Sequence, residues 1–212
     1  MIEILSATKD DLQTIHDMAQ VVFRHTYRNI LSPDQMEYMM EMMYSLPNLN
    51  AQIDEGHHYY IAYGSDAGLT DCTYADGCEA AGSCDACGRD SQGAACSMPC
   101  GYVSVQRQGT DQDGVEVFHL HKIYVMPQFQ GRGVGMRLFQ TVIDHVRSEI
   151  NCNTDSQSEA RIELNVNKHN SAVAFYEHIG MRIIHEEDYP IGNGFYKTDY
   201  IMALDLFCLV LI

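Results

Sequence analysis

The sequence YVMPQFQGRGVG, residues Tyr124–Gly135, joins two patterns that belong to different secondary structures. An apolar run typical of a buried strand ends at Pro127, and three glycines in alternate positions then lead into a helical pattern. Glycine permits left-handed backbone and close approach, and the first N–H groups of a helix have no partner within it. With the helix dipole, these amides form a cradle for an anion. A turn whose glycines only permit tight packing is the alternative that these residues leave open.

Two nucleotide-binding motifs can be tested against the same turn. A P-loop needs Gly-Lys-Ser/Thr after its spacer, whereas Gly135 is followed by Met136 and Arg137. A dinucleotide-binding fingerprint needs a third glycine at the position of Leu138. Both motifs are therefore rejected, while Arg132 and Arg137 supply positive charge beside the turn.

Periodic patterns on both sides of the turn predict alternating strands and helices. A capping-box pattern at Thr8–Asp11 and the pair Ser32-Pro33 indicate two helix starts in the first part of the chain. Two expected hairpins make the chain mixed α/β rather than a purely parallel sheet. We expect strands at about 2–5, 58–63, 101–108, 115–125, 161–166, 181–187 and 196–206, and helices at about 12–27, from 33, at 134–150 and at 171–179.

The turn also resembles the signature of the GCN5-related N-acetyltransferase (GNAT) family. That signature, Gln/Arg-x-x-Gly-x-Gly/Ala between a strand and a helix, is matched by Gln130–Gly135. A second segment, Val166–Met181, is similar to the strand, Asn, short helix and Tyr that follow in the family, with Met181 where the family has Phe. The similarity covers about residues 101–206. It implies a single GNAT-like domain over residues 1–212, with a mixed, largely antiparallel central sheet flanked by helices and an insertion at about 64–100.

The resemblance implies that the chain binds acetyl-CoA as a co-substrate and transfers its acetyl group to an amine. The backbone amides of the turn would bind the pyrophosphate, and those at the end of the preceding strand would pair with the pantetheine. Asn170 would contact the CoA arm, and Tyr176 would protonate the departing thiolate. A helix N-cap for Asn170 and core packing for Tyr176 are the structural alternatives. The backbone positions concerned are Gln130, Gly131, Arg132, Gly133, Val134 and Gly135 in the turn, and Ile123, Tyr124 and Val125 in the strand.

His119 and His121 are the candidates for a general base. Period-two alternation along a strand from Val115 to Val125 places both on one face, where they interrupt an apolar stripe. A neutral imidazole can accept a proton from an ammonium near pH 7, directly or through water. His119-Leu120-His121 is also similar to the arylalkylamine branch of the family, in which paired histidines serve this step, although the surrounding residues differ. Core histidines with satisfied hydrogen bonds, and a water molecule as the base, remain alternatives.

Six of the eight cysteines fall between residues 64 and 100, a segment with six glycines and six acidic residues. Such a segment is too long for an ordinary connection and predicts an inserted loop. Cys84-x-x-Cys87 has zinc-ligand spacing and Cys96-x-x-x-Cys100 is a looser partner, so four thiolates could hold one Zn²⁺. We expect an insertion without a metal, and a metal or redox site is the alternative.

The net charge of −16 bears on the partners of the chain. An acidic surface disfavours nucleic acids and anionic membranes, whereas cationic amines such as polyamines are attracted. The first residues lack a basic, apolar signal segment, so we expect a cytoplasmic protein with reduced cysteines.

Together, these observations predict an N-acetyltransferase that acts on a primary amine of a small molecule, polyamine or arylalkylamine-like, or of a peptide. The alternative is a non-catalytic acyl-CoA-binding or metal- or redox-sensing module on the same fold. The acceptor pocket carries no diagnostic motif, and its candidates are Phe23, Tyr27, Met39 and Tyr44. A homodimer is expected only because members of the family often pair.

Overall fold

The computed structural model describes residues 2–65, 97–150 and 159–207. Its centre is a seven-stranded sheet with the strand order β1-β2-β3-β4-β5-β7-β6. β4 and β5 are parallel, and the other five neighbouring pairs are antiparallel, which confirms the mixed, largely antiparallel sheet. The strands are β1 (Ile2–Ser6), β2 (His58–Ser65), β3 (Ser97–Thr110), β4 (Glu116–Val125), β5 (Glu159–Asn167), β6 (Arg182–Gly192) and β7 (Phe195–Phe207).

Five α-helices are described, and the predicted caps begin two segments of the first half. Thr8 and Asp11 form the expected capping box just before α1, and Ser32 Oγ accepts a hydrogen bond from the Gln35 amide at the start of α2. A third helix follows Ser45 and was not expected. The helices are α1 (Leu12–Tyr27), α2 (Pro33–Tyr44), α3 (Leu46–Asp54), α4 (Val134–Glu149) and α5 (Ala172–His178).

Helices cover both faces of the sheet. The neighbouring residues Tyr59 and Tyr60 on β2 point to opposite faces, as strand geometry requires. Tyr59 Oη donates a hydrogen bond of 2.5 Å to Gln52 of α3, and Tyr60 Oη lies 3.0 Å from Nδ1 of His145 in α4. The first three helices therefore pack on one face, and α4 packs on the other. No helix in the described ranges is long and apolar enough to cross a membrane.

A β-bulge at His121 changes the direction of side chains in β4. Ser104 pairs with Lys122 and Val105 pairs with Leu120, so His121 is an extra residue between two paired positions. One extra residue reverses the alternation of side chains beyond it. The prediction that side chains alternate without a break along β4 is therefore wrong beyond His121.

The consequence of the bulge is that polar groups of β4 gather on the face of α1 to α3. Before the bulge, Phe118 contacts His145 of α4, which is the opposite face. After it, the Lys122 ammonium lies 5.5 Å from the ring centre of Tyr44 in α2, and Tyr124 contacts Phe23 of α1. His119 and His121 are on this same face, whereas the expected continuation of their stripe at Ile123 and Val125 is not.

β4 and β5 separate after a short paired segment. Their register runs only from Glu116–Ala160 to His119–Glu163, although β4 continues to Val125 and β5 to Asn167. β5 stays paired with β7 over its whole length. Within the described sheet, the backbone of β4 beyond His119 therefore has no strand partner on its β5 side. Such peptide groups need another hydrogen-bonding partner.

The cysteine-rich segment lies mostly outside the described residues, and so do Cys84, Cys87 and Cys96. Cys100, the fourth proposed zinc ligand, is buried in β3, where burial raises the pKa of its thiol to about 11. A metal requires the thiolate, so this environment does not favour ligation by Cys100. In the described ranges, no group of three or more His, Cys, Asp or Glu side chains could hold a metal ion.

Candidate active site

Two cavities meet where β4 and β5 separate. The larger has a volume of about 680 Å³ and is bounded by the end of β4, the glycine-rich turn and α5; we call it the turn cavity. The smaller, of about 390 Å³, is bounded by α1, α2 and strands β4, β5 and β7; we call it the histidine cavity. Five residues line both cavities, namely Tyr27, His121, Lys122, Tyr124 and Asn165.

The glycine-rich turn presents open backbone to the turn cavity. Gly131 and Gly133 have φ angles of +72° and +77°, and no heavy atom lies within 4 Å of the position that a Cβ would take. α4 begins at Val134 directly after Gly133, so its first amides lack partners within the helix. The Gln130 side chain donates a 3.0 Å hydrogen bond to the Val125 carbonyl and ties the turn to β4.

Most of the predicted cofactor-binding residues are brought together at this cavity. The exception is Arg132, whose guanidinium lies 5.4 Å from the ring centre of Phe129 instead of on the cavity wall. The predicted residues that line the turn cavity are Ile123, Tyr124, Val125, Gln130, Gly131, Gly133, Val134, Gly135 and Asn170.

Asn170 and Tyr176 both lie at the wall formed by α5. Asn170 Oδ1 accepts a 2.9 Å hydrogen bond from the Ala172 amide, and its Nδ2 lies 3.5 Å from Tyr27 Oη. Asn170 therefore supports the start of α5 and also faces the turn cavity. Tyr176 is buried at the same wall, and burial raises the pKa of its phenol, so the proton stays on the oxygen at neutral pH.

Three histidines form a row along the histidine cavity. The ring centres of His119 and His121 are 4.5 Å apart, and those of His121 and His57 are 4.1 Å apart. His121 Nε2 lies 3.0 Å from Gln106 Oε1, and His57 Nδ1 lies 3.1 Å from Ser104 Oγ. His57 was not predicted, because it stands at the edge of a strand and only the fold brings it to the pair on β4.

The three imidazoles are neutral at physiological pH. Burial is the main cause that lowers the pKa of His57 and His119 to about 4 and that of His121 to about 2. Electrostatic repulsion from nearby lysines lowers these pKa values further. Lys197 acts on His119, and both Lys122 and Lys197 act on His121.

Lys122 is a second site residue that the sequence analysis did not single out. Its ammonium is buried and donates hydrogen bonds of 2.5 Å to Gln52 Oε1 and 2.9 Å to Tyr59 Oη. It also lies over the rings of Tyr44 and Tyr59. Burial, aided by Lys197, lowers the pKa of Lys122 to about 7. The bulge places Lys122 here, and nothing in the sequence alone indicated it.

Three of the four predicted acceptor residues lie at the histidine cavity. Phe23, Tyr27 and Met39 line the histidine cavity, whereas Tyr44 is fully buried behind Lys122 and does not. The opposite wall comes from β5 and from the hairpin of β6 and β7, which the sequence analysis did not assign to the site. The lining residues from these three strands are Asn165, Asn167, Tyr189, Tyr196, Lys197 and Asp199.

Comparisons with known proteins agree with this geometry. A family model described as an acetyltransferase (GNAT) domain matches residues 94–204, which is just over half of the chain. A search of curated protein sequences finds no significant match.

Solved structures share the fold at low sequence identity. The PaiA N-acetyltransferase from Thermoplasma acidophilum, in complex with coenzyme A, aligns with a TM-score of 0.60 and 18% identity over 96% of this chain and 98% of its own. A GCN5-related N-acetyltransferase from Rhodopseudomonas palustris aligns with a TM-score of 0.62 and 14% identity, covering 96% and 95% of the two chains. The ribosomal-protein-S18-alanine N-acetyltransferase from Escherichia coli aligns with a TM-score of 0.56 and 17% identity, covering 100% and 97%.

Proposed function

The chain belongs to the GNAT acetyltransferase family, and on that premise we propose that it transfers the acetyl group of acetyl-CoA directly to a primary amine. The observation that carries the proposal is the meeting of two cavities at the point where β4 and β5 separate. One cavity has the features of a cofactor site and the other has those of an acceptor site. The residues they share lie where the two substrates would react.

The turn cavity fits acetyl-CoA in two ways. Open amides at a helix N-terminus suit a pyrophosphate, and the structured turn provides them from Gln130 to Gly135. The free edge of β4 at Ile123 to Val125 offers peptide groups to the amides of pantetheine. When bound, acetyl-CoA supplies the acetyl thioester that the reaction consumes. A related fold holding coenzyme A in the Thermoplasma acidophilum protein supports the same assignment.

Tyr176 is the proposed general acid. In direct transfer the amine nitrogen forms a bond to the acetyl carbon and the carbon–sulfur bond breaks, which leaves a thiolate that needs a proton. A buried phenol that stays protonated can donate this proton at neutral pH. Tyr27 is the neighbour whose charge would raise the pKa of Tyr176 further, and it lines both cavities.

His121 is the proposed proton acceptor, with His119 beside it. An acceptor amine loses a proton as it is acetylated, and a base must be unprotonated to take it. The lowered pKa of both histidines keeps them unprotonated across the physiological range. It also makes them weak proton acceptors, so the proton moves to them only after attack on the acetyl carbon has made the amine nitrogen more acidic. His121 lines both cavities, whereas His119 lines only the histidine cavity, so His121 is closer to the reacting groups. Lys122 and Lys197 help to keep His121 neutral, and for the same reason they oppose the positive charge that it gains with the proton.

The acceptor is proposed to be an amine of a small molecule or of a peptide. The Escherichia coli relative is named for a protein alanine, which supports a peptide amine, and the cavity volume of about 390 Å³ supports a small molecule. A cytoplasmic location and a homodimer stay predictions from the sequence.

The direct test is calorimetric titration of the reduced protein with acetyl-CoA, with ATP and NAD as controls. We expect one equivalent of acetyl-CoA to bind and neither control to do so. Release of free CoA thiol would then be measured with a panel of amines, which separates an enzyme from a non-catalytic acyl-CoA-binding module. Failure to bind acetyl-CoA would overturn the proposal, and binding without turnover of any amine would favour the module.

A further inference from the structure

The histidine cavity carries a charge balance opposite to that of the protein. The chain has 29 acidic against 13 basic residues, yet the described lining of this cavity holds two lysines and a single carboxylate. The lysines are Lys122 and Lys197, and the carboxylate is Asp199. Because the pKa of Lys122 is about 7, it carries only part of its charge at neutral pH, and Lys197 contributes most of the excess. A local excess of positive charge in an acidic protein is a feature that binding of an anionic group would explain.

The ammonium groups of the two lysines differ in how many contacts they already make within the protein. Lys122 donates to Gln52 and Tyr59 and lies between two aromatic rings. Lys197 is half-buried on β7, and its ammonium lies 5.9 Å from the ring centre of Tyr189. Lys122 has one N–H left, whereas no hydrogen bond among the described residues uses the Lys197 ammonium, so Lys197 has the greater capacity to bind a ligand.

Asp199 does not cancel this charge completely. It lies two residues from Lys197 on the same strand, where it partly offsets the burial that lowers the pKa of that lysine. Asp199 also interacts with Lys168 and is 3.4 Å from the Tyr189 hydroxyl, so its charge is shared among several groups. The positive potential of Lys197 still reaches the centre of the site, where it acts on His119 and His121.

The wall of the cavity that α1 and α2 form is mostly apolar, and the β6–β7 hairpin lies against α2. Tyr38 of α2 donates a 2.6 Å hydrogen bond to the Ile191 carbonyl, and Gln35 donates a 2.8 Å hydrogen bond to the Tyr196 carbonyl. These contacts hold the hairpin that carries Lys197 against α2. The helices supply a flexible apolar surface of a kind that suits varied side chains. The apolar lining residues from α1, α2 and their connection are Phe23, Leu31, Met39, Met42 and Met43.

We propose that the acceptor is an amino carboxylate with an apolar side chain, its carboxylate bound by Lys197 and its side chain packed against the methionines of α2. The inference rests on the proposed acetyl transfer and names the substrate class of the same site. The amine of such a molecule would lie at His121, where the two cavities meet. A polyamine, which the net charge of the chain alone would favour, would place further ammonium groups beside Lys122 and Lys197.

The test compares each amino acid with its decarboxylated amine. Phenylalanine with phenethylamine and leucine with isoamylamine differ only in the carboxylate, and spermidine represents the polyamines. We expect kcat/KM for the amino acids to exceed that of the matched amines at least tenfold. Equal or lower values for the amino acids, or a preference for spermidine, would overturn the substrate class while leaving acetyl transfer intact. A peptide beginning with the same residue distinguishes a free amino acid from a chain terminus.

Variants of Lys197 assign the carboxylate site. Lys197→Met should raise KM for the amino acid at least tenfold, leave KM for acetyl-CoA unchanged and abolish the preference over the decarboxylated amine. Lys197→Arg should restore part of the preference, because the positive charge is retained. Lys168→Met is the matched control, since it removes a neighbouring positive charge that lines neither cavity. Equal loss in both Met variants would show a general field instead of a binding contact and would overturn the assignment.

Acetyl-CoA titration of every variant separates the two levels of the proposal. If acetyl-CoA binds and decarboxylated amines turn over, failure with amino acids counts against the acceptor class alone. If acetyl-CoA does not bind to the unmodified protein, the proposed function itself fails.

Discussion

At the residue scale, the buried phenol of Tyr176 makes a sharp prediction about catalysis. Tyr176→Phe removes only the hydroxyl, so the packing of α5 through the ring is retained while the proposed proton donor is lost. We expect kcat to fall by about 10²-fold or more, within the range that general acids contribute. Calorimetry should find an unchanged affinity for acetyl-CoA, because the interactions of the turn do not involve this hydroxyl.

Tyr27→Phe is the comparison for this prediction, because Tyr27 Oη lies near Asn170 and the residue lines both cavities. If Tyr27→Phe lowers kcat strongly and Tyr176→Phe does not, the acid is Tyr27 and the assignment from the sequence motif is wrong.

Lys122 predicts a pH-dependent stability. Its pKa falls from 10.5 to about 7 on folding, so the unfolded chain binds more protons between these values. Stability then rises with pH through this window, and the cost of burial is largest below pH 7. Lys122→Met removes this cost, so the variant should be more stable than the wild type near neutral pH. Its advantage in free energy of unfolding should decrease by about 2 kcal/mol between about pH 7.5 and 9.5.

Urea denaturation at the two pH values measures this change. Lys9→Met serves as the control, since the Lys9 side chain is half exposed and its pair with Asp54 lies on the surface. A difference between Lys122→Met and the wild type that stays constant with pH would show that Lys122 is not deprotonated on folding in this window.

At the scale of the element, substitutions of two glycines can distinguish the cost of backbone strain from the loss of ligand binding at the glycine-rich turn. Gly133→Ala forces a side chain into a left-handed conformation, which costs about 1 to 2 kcal/mol, although there is open space around it. Gly109 has a φ of +109° and equally open surroundings in β3, but it lines neither cavity. Both Ala variants should lose similar stability, and Gly133→Ala alone should weaken acetyl-CoA binding, by about tenfold or more.

Thermal denaturation and calorimetry on the same two proteins check both parts. Equal affinity for acetyl-CoA in the two variants would mean that the turn does not approach the ligand closely.

The same scale shows why part of the site could be predicted. The turn and α4 follow from local patterns, because a helix start and a glycine conformation depend on nearby residues. Asn170 and Tyr176 were expected from the resemblance to the GNAT family. The bulge at His121 depends on how β4 aligns with β3, and that register is a property of two strands together. His57, Lys122 and Lys197 join the histidines only through this register and through the hairpin of β6 and β7. Periodicity within a single strand therefore could not identify them.

At the scale of the whole molecule, the net charge of −16 opposes the approach of an anionic cofactor. Salt screens this repulsion, since the Debye length falls from about 20 Å near 20 mM to about 7 Å near 200 mM. We expect kcat/KM for acetyl-CoA to rise about two- to fivefold over this range when association limits the rate. Acetyl-pantetheine, which lacks the phosphates, should show no such rise.

Steady-state rates at low cofactor concentration measure the salt dependence. A fall of kcat/KM with salt would mean that local groups such as Arg132 and Arg137, and not the overall charge, determine the field that acetyl-CoA meets.

The separation of β4 from β5 also has a mechanical consequence. The sheet divides into two groups of strands, β1 to β4 and β5 to β7. Four residue pairs join them, and the last pair is His119 with Glu163. This join is the shortest paired segment of the described sheet, and the histidine that ends it also begins the row of three histidines. A shift of one part of the sheet against the other would widen the gap between β4 and β5 and move His121 relative to Asn165. Access to the turn cavity and the spacing of the residues shared by the two cavities would then change together.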